Sequence, residues 1–248
     1  MGKMPHTLLK ERDVCSYALL PGDPARLDRI ALHMEDVREL AYNREFRSIK
    51  GIYQGIEIMA VSTGIGGPST AIAVEELHEL GVSHMIRIGS CGALQPGIHV
   101  GDLVLVNAAV RDEGTSKAYV DTAFPAVSDF DLLSACVKAA EDNRFPFHVG
   151  IARSHDSFYI DEKDEIYRFW KKKGILASDM ETAALYVAGS LRGIHCASIL
   201  NVVVADQEEL KEQINHYTQK ENLSAEGETN EILTALEAFV RIEKKQSE

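Results

Sequence analysis

The sequence predicts an α/β fold: one three-layer α/β/α domain whose central sheet is mixed but largely parallel, twisted, and flanked by helices. Three observations support this prediction. Short apolar runs alternate with amphipathic helical patterns along the chain. Glycine-rich turns follow two of these runs, at residues 21–24 and 62–70, and each turn leads into a helical pattern. No repeat, linker or low-complexity segment divides the 248 residues, so 1–248 are expected to form a single domain.

The composition narrows the classes of partner and the cellular compartment. A hydrophobic fraction of 45% and a charged fraction of 26% are ordinary for a globular protein. The net charge of -12 argues against nonspecific binding to nucleic acid and against adsorption to anionic membranes. The four cysteines lack CxxC spacing, which indicates reduced thiols, and no run has signal-peptide or membrane-spanning character. We therefore expect a cytoplasmic protein with no nucleic-acid or membrane partner.

The first predicted unit is a strand, a turn and a helix. Residues Ser16 to Leu20 form an apolar run, the turn Pro21-Gly-Asp-Pro24 follows, and a helical pattern extends from Ala25 to about Met34. Unpaired amides at a helix start favour an anion. Arg26 lies in the first helical turn, where a cation is unfavourable unless an anion is bound nearby. The fragment therefore resembles a phosphate cradle.

The next elements predict a βαβ unit. Residues 37–50 and 55–62 have β character, and the glycine-rich turn 62–70 leads into an amphipathic helix over 71–80. A buried strand over 85–88 follows that helix. Two strands joined by a helix are typical of a parallel sheet.

The strand at 85–88 carries an arginine, Arg87, and is expected to break at Gly89-Ser-Cys-Gly92. A buried guanidinium is costly unless an anion pairs with it. A structural ion pair with an internal Asp or Glu would meet that need. The position of Arg87 and Ser90 at the C-terminal end of a strand instead favours half of an oxyanion site.

The remaining elements follow the same alternation. The pattern predicts strands at 102–107, 148–153, 174–177 and 195–204, helices at 131–142, 162–173, 183–191 and 229–244, and loop-like or polar segments at 111–129 and 207–224.

Three groups of side chains follow these later strands. Phe158 could belong to the core or offer a flat face on which a heterocycle stacks. Asp179 and Glu181 could compensate a helix dipole or accept hydrogen bonds from a sugar diol. Asp206 stands just beyond a strand, where a partly desolvated carboxyl could act as a general acid.

Five motifs occur together and in order, and they carry a family resemblance: Pro21-Gly-Asp-Pro-x-Arg26, Asn43-Arg-Glu-Phe46, Ser62-Thr-Gly-Ile-Gly-Gly-Pro-Ser-Thr70, Arg87-Ile-Gly-Ser-Cys-Gly92 and Asp179-Met-Glu181. With them the chain resembles the nucleoside phosphorylases that form trimers or hexamers, namely the hexameric purine nucleoside phosphorylases and the uridine phosphorylases. The resemblance extends from His6 to the final helix.

The resemblance implies a role for each matching residue. The phosphate would be bound by Gly22, Arg26, Arg87 and Ser90, with Arg44 donated by a neighbouring subunit. The ribose would be bound by Met180 and Glu181, with His6 of the neighbour near the 5′-hydroxyl. The base would be bound by Cys91, Gly92, Phe158 and Asp179, and Asp206 would be the catalytic acid that protonates a purine at N7. The active species would be a homo-oligomer, a hexamer built as a trimer of dimers.

The implied reaction is the reversible phosphorolysis of nucleosides or deoxynucleosides to a free base and (deoxy)ribose 1-phosphate. Phosphate is a co-substrate, and no metal or organic cofactor is implied. Positioning and electrostatic stabilisation would do most of the catalysis. Inosine, guanosine and adenosine are the favoured substrates because Asp206 suits a purine leaving group.

Several positions of this chain differ from the pattern of the family, and these differences affect which substrate is expected. Uridine phosphorylases read uracil with a Gln-x-Arg pair, and Glu162-Lys-Asp164 occupies that place here. Asp179 stands where Glu is common, and Lys211 is the nearest cation after Asp206.

Uridine phosphorolysis is the alternative, because residues 64–77 and 88–100 resemble the uridine enzymes more closely. A methylthioadenosine or S-adenosylhomocysteine hydrolase, which needs no phosphate cluster, is a further alternative, as is a binding module without catalysis.

Overall fold

The computed structural model describes residues 2–205 and 217–246, and the strands of this part of the chain all belong to one nine-stranded sheet. The strands are β1 (Tyr17–Pro21), β2 (Glu35–Asn43), β3 (Phe46–Tyr53), β4 (Ile56–Val61), β5 (His84–Ala93), β6 (Leu103–Asp112), β7 (Phe147–His155), β8 (Ala177–Asp179) and β9 (His195–Val204). The helices are α1 (Arg26–Ala31), α2 (Gly67–Glu79), α3 (Thr115–Tyr119), α4 (Phe130–Asn143), α5 (Lys163–Lys171), α6 (Thr182–Leu191) and α7 (Tyr217–Gln246), with a 3₁₀ turn at Glu11–Asp13.

The strand order confirms a mixed sheet, and it adds a closure that the sequence did not predict. The order is β2-β3-β4-β1-β5-β8-β7-β6-β9, and β9 also pairs with β5. Strands β5, β8, β7, β6 and β9 therefore form a closed ring. The pairs β1–β4, β1–β5, β5–β9, β6–β7 and β7–β8 are parallel, and β2–β3, β3–β4, β5–β8 and β6–β9 are antiparallel.

Helices cover the sheet on two sides, as the fold class requires. Val74 of α2 and Leu185 of α6 belong to one buried apolar cluster. Leu132 of α4, with Leu236 and Phe239 of α7, belongs to a second cluster. The sheet therefore separates two hydrophobic cores, and the predicted three-layer α/β/α arrangement is confirmed. Among the described helices, none combines the length and apolar character needed to cross a bilayer.

Two elements differ from the sequence prediction in ways that affect the site. Strand β5 does not break at Gly89 but continues to Ala93, because Ser90 pairs with Asn201 of β9 and Gly92 pairs with Ser178 of β8. Non-local pairing thus keeps this glycine-rich stretch extended. The β segment expected over 37–50 is a hairpin of β2 and β3, and its turn places Arg44 at a φ of 55°.

Other boundaries shift by shorter distances. Helix α1 ends at Ala31 instead of about Met34. The segment 111–129, expected to be a loop, contains the end of β6 and helix α3. Helix α7 begins at Tyr217, so the described end of the segment 207–224 is helical.

Candidate active site

A cavity of about 920 Å³ opens where the C-terminal ends of β1, β5 and β7 meet β8. Its walls also include the first glycine-rich turn, residues of α5 and the end of β9. Ten residues singled out from the sequence line it: Gly22, Arg26, Arg87, Ser90, Cys91, Gly92, Phe158, Asp179, Met180 and Glu181. The fold therefore brings together residues that lie up to 159 positions apart in the chain.

The two glycine-rich turns approach each other closely at one end of this cavity. The amide of Gly64 donates to the carbonyl of Gly22 at 3.0 Å. A Cβ atom on Gly22 would lie 3.0 Å from the Gly64 carbonyl oxygen, which is tighter than ordinary contact. Glycine at position 22 thus lets β1 and β4 end side by side beneath the cavity wall.

Arg26 is buried and is held on three sides. Its Nη1 donates to the carbonyl of Ile88 at 3.1 Å, and its Nη2 donates to Oγ of Ser90 at 3.3 Å. From α7, Glu228 accepts from Nε at 3.1 Å, and Oε1 of Glu231 lies 3.2 Å from Nη1. A guanidinium and a hydroxyl are thus fixed next to each other at the end of β5. This combination of donors suits a phosphate oxyanion.

Arg87 is the centre of a buried cluster of charges. Only 4% of its surface is exposed, and it donates from Nε to Oδ2 of Asp179 at 3.0 Å. Its Nη2 lies 2.5 Å from Oε2 of Glu181. Arg87 therefore forms the internal ion pairs that the structural interpretation required, and it also lines the cavity together with Ser90. Its part in an oxyanion site stays a prediction.

Asp179 has protein partners for both carboxylate oxygens. Oδ1 accepts from Oγ of Ser154 at 2.6 Å, and Oδ2 accepts from the amide of Thr182 at 3.0 Å as well as from Arg87. These contacts are those of a group that orients Arg87. The base contact expected for Asp179 stays a prediction.

Glu181 joins the arginine to the second glycine-rich turn. Its Oε1 accepts from the amide of Gly66 at 2.6 Å, while its Oε2 faces Arg87. Burial raises the pKa of Glu181, and the charge of Arg87 opposes that shift. Met180 precedes it on the cavity wall. A carboxylate oxygen has two acceptor sites, so each oxygen of Glu181 can still accept from a sugar hydroxyl.

The opposite end of the cavity is formed by β7 and the segment after it. Phe158 is 57% exposed, so it is not a core residue, and its ring lies 5.4 Å from Nζ of Lys163. Arg153 and His155 also line this end, together with Tyr167 of α5. We did not identify Arg153 or His155 from the sequence. Alternation along β7 could have indicated them, since both lie on the same face of a strand that ends beside Phe158.

Two further predicted residues lie outside the cavity, and one lies outside the described residues. Nδ1 of His6 donates to Oε1 of Glu76 at 2.6 Å, and the carbonyl of His6 accepts from Nδ2 of Asn43 at 2.8 Å. Arg44 follows Asn43 and is exposed. His6 and Arg44 therefore share one surface. Asp206 lies outside the described residues, and the residue before it, Ala205, lines the cavity.

Comparisons with known proteins identify the family of the chain. The family model described as "Phosphorylase superfamily" matches residues 16–241. A guanosine phosphorylase of Halorubrum lacusprofundi is 45% identical, over 82% of this chain and 83% of that protein. A uridine phosphorylase of Thermococcus kodakarensis is 41% identical, over 81% of this chain and 77% of that protein.

Solved structures show the same similarity over nearly the whole chain. The uridine phosphorylase of Vibrio fischeri superposes with a TM-score of 0.92 at 45% identity, covering 97% of this chain and 98% of that one. The purine nucleoside phosphorylase of Toxoplasma gondii, solved with immucillin-H, gives a TM-score of 0.88 at 30% identity, covering 99% and 98%. The chain therefore belongs to the phosphorylase superfamily and, within it, to the nucleoside phosphorylases, which are pentosyltransferases.

Proposed function

We propose that this enzyme catalyses the reversible phosphorolysis of nucleosides, with purine nucleosides as its preferred substrates. One observation carries the proposal: Arg26, Arg87 and Ser90 converge at one end of a cavity whose middle wall is formed by Met180 and Glu181. The two guanidinium groups and the hydroxyl would bind phosphate. Glu181 would accept hydrogen bonds from the ribose, and Phe158 would stack against the base.

The reaction follows from that order of groups. A phosphate oxygen attacks C1′ of the nucleoside, the bond from C1′ to the base nitrogen breaks, and the electron pair of that bond leaves with the base. The two arginines hold the dianion against C1′, and Glu181 stabilises the positive charge that develops on the ribose ring. Asp206 would give its proton to N7 of a purine as the base departs. Inorganic phosphate is the co-substrate, and no metal or organic cofactor takes part in these steps.

Two features support a preference for purines: the exposed ring of Phe158 and the similarity of the sequence to a guanosine phosphorylase. Phe158 presents an exposed face in a cavity large enough for a two-ring base. The similarity to a guanosine phosphorylase supports the same choice. Uridine is the second candidate, because two of the most similar proteins are uridine phosphorylases. The residues 162–164 that replace the Gln-x-Arg pair weigh against uridine.

The enzyme would act as a homo-oligomer, since His6 and Arg44 were expected at the site but lie outside the cavity of their own subunit. Arg44 and His6 share one exposed surface, and in a homo-oligomer they would reach the cavity of a neighbouring subunit. A hexamer arranged as a trimer of dimers would give every cavity such a neighbour. We also propose a cytoplasmic location, because the four cysteines have the spacing of reduced thiols.

The test is the dependence of base release on phosphate. Inosine, guanosine, adenosine and uridine are incubated with and without inorganic phosphate, and ribose 1-phosphate is measured alongside the free base. We expect base release only with phosphate, with one ribose 1-phosphate formed for each base. Equal release of base in phosphate-free buffer would indicate hydrolysis and would overturn the proposal.

A further inference from the structure

Two polar side chains on β7 have no part in the proposed chemistry, although they line the cavity. Arg153 and His155 are two residues apart on the strand, so they project to the same face. Ser154 between them points the other way, into the hydrogen bond with Asp179. The pair therefore faces the cavity while its neighbour supports the charged cluster around Arg87.

This pair lies at the end of the cavity where the proposed function places the base of the nucleoside. Strand β8 lies between β5, which carries Arg87 and Ser90, and β7. Neighbouring strands are about 4.8 Å apart, so the β7 side chains start roughly 10 Å from the phosphate end. Phe158, the proposed stacking platform, follows His155 by three residues on the same wall.

Arg153 is a buried guanidinium that pairs with one carboxylate, that of Asp112. Oδ2 of Asp112 accepts from Nε at 2.7 Å and lies 2.7 Å from Nη2. These contacts leave Nη1 as the guanidinium nitrogen that Asp112 does not take up. The side chain of Arg153 is 10% exposed and that of Asp112 is 40% exposed, so the arginine, not its partner, is the buried member of the pair.

The contacts of His155 define which of its ring nitrogens can accept. Nδ1 lies 3.0 Å from the carbonyl oxygen of Ser157. A carbonyl oxygen can only accept, so Nδ1 carries the proton, and Nε2 of the neutral ring is an acceptor. Burial, helped by the charge of Arg153, lowers the pKa of His155 below its ordinary value of 6.5. The ring is therefore neutral at pH 7.

We propose that Arg153 and His155 read a lactam edge, a C=O group next to an N–H group, on the base of the nucleoside. Arg153 donates to the carbonyl oxygen, and Nε2 of His155 accepts from the neighbouring N–H. Guanine and hypoxanthine present this edge at O6 and N1, and uracil presents it at O4 and N3. Adenine and cytosine present the reverse pattern, an amino donor beside a ring acceptor, and are rejected.

This inference rests on the proposed phosphorolysis and narrows its substrates to nucleosides of lactam bases. It removes adenosine from the set of good substrates. A mismatched edge leaves buried polar groups unpaired, which discriminates far more strongly than a change in size.

The test compares substrates that differ only at this edge. We would measure kcat/KM for guanosine, inosine, adenosine and purine riboside, which lacks both O6 and the N1 proton. The enzymes are the parent, Arg153→Met, His155→Leu and the conservative variant Arg153→Lys. If uridine is the preferred substrate, cytidine and 2-pyrimidinone riboside replace adenosine and purine riboside.

The parent is expected to favour inosine over adenosine by about 100-fold or more. Arg153→Met and His155→Leu should each lower kcat/KM for inosine by about tenfold to 100-fold, and for purine riboside by less than about threefold. Arg153→Lys should recover part of the loss on inosine. KM for phosphate should stay near the parental value in all three variants, since none of these residues contacts Arg26 or Arg87. Arg153→Met leaves Asp112 without its cation and should lower the melting temperature, so its effect is measured as the ratio of kcat/KM for inosine to that for purine riboside, which a loss of folded enzyme does not change.

Two results would overturn the inference while leaving phosphorolysis intact: equal use of adenosine and inosine by the parent, or equal losses on inosine and purine riboside in the variants. The second result would mean that Arg153 and His155 only maintain the shape of the wall. Absence of phosphorolysis with every nucleoside would instead overturn the proposed function, and this inference with it.

Discussion

Nη1 of Arg26 lies 3.2 Å from Oε1 of Glu231, a carboxyl on α7 with no exposed surface. The two groups are close, but they are not aligned for a hydrogen bond, and Oε1 of Glu231 has no hydrogen-bond partner. The other carboxylate oxygen, Oε2, accepts from the amide of Gly89 at 3.1 Å. The acid thus lies directly behind the end of the cavity that is lined by Arg26 and Gly89. Arg26, Arg87 and Glu228 are the charged groups around it, and burial raises its pKa to about 8.

Glu231 should make phosphate binding sensitive to alkaline pH. Below pH 8 the carboxyl is neutral, and above it a negative charge appears beside Arg26 and Arg87. We expect KM for phosphate in the parent to rise by about tenfold between pH 7 and pH 9 relative to Glu231→Gln, in which the amide stays neutral. Steady-state kinetics across this range measure the ratio. A constant ratio would contradict the prediction.

The same group should affect stability in a defined direction. The unfolded glutamate loses its proton near pH 4.5, whereas the folded protein keeps it to about pH 8. Between these values only the folded state holds the proton, so the free energy of unfolding contributed by this group falls as pH rises. Glu231→Gln should therefore gain in melting temperature relative to the parent as pH increases through this window.

Arg87→Met should destabilise the fold as well as abolish phosphate binding. Removing the guanidinium leaves Asp179 and Glu181 buried without their cation, and breaking a buried ion pair from one side typically costs about 3–5 kcal/mol. Urea denaturation measures this loss. Adding Asp179→Asn and Glu181→Gln to Arg87→Met should restore part of the free energy of unfolding, since no buried charge is then unpaired. A triple variant no more stable than Arg87→Met would argue against the ion pairs as the cause.

Asp206→Asn tests the general acid. The amide keeps the size of the carboxyl but cannot give up a carboxyl proton, so kcat/KM for inosine should fall by about 100-fold or more. Uridine turnover should change much less, because uracil has no N7 to protonate. A nearly silent Asp206→Asn variant, together with a strong preference for uridine, would favour the uridine alternative over the purine proposal.

Mixed oligomers test the shared site. A subunit carrying Arg44→Ala keeps its own Arg87, and a partner carrying Arg87→Ala still supplies Arg44. After denaturation and joint refolding of two individually inactive variants, about a quarter of parental activity should return if sites are shared between pairs of subunits. Light scattering on the same samples reports the assembly. A fully active monomer would refute the shared site.

The clustering of Gly22, Arg26, Arg87 and Ser90 in one cavity could be predicted because each of these positions depends on local sequence. Gly22 and Arg26 follow one strand, and Arg87 and Ser90 lie at the end of another, so chain order alone places them at the C-terminal edge of a parallel sheet. The buried ion pairs of Arg87 with Asp179 and Glu181 join two of the motifs, and an anionic partner for Arg87 was expected on physical grounds.

Contacts between distant segments could not be predicted in the same way. The pairing of β5 with β9, with His84 opposite His195, closes the strand ring and keeps β5 extended through Gly92. Nothing in the local pattern of residues 89–92 distinguishes this from a turn. In the sequence, Glu231 is one of many charged residues on an amphipathic helix. It becomes a buried acid only because α7 packs behind Gly89. The alternation along β7 could have indicated Arg153, but its ion pair with Asp112 could not be predicted, because Asp112 lies on a different strand.

Strand β8 separates the two ends of the cavity. This separation affects how the substrate preference of the enzyme can change by mutation. Side chains from 22–92 form the end of the cavity proposed to bind phosphate, and those from 153–167 form most of the end proposed to bind the base. Under the proposed function, mutations in the second segment would alter which nucleoside is accepted while Arg26 and Arg87 keep their geometry. Residues 153–167 are therefore a natural unit for grafting between relatives, and substrate range can drift within one lineage while the bond-breaking apparatus is inherited unchanged.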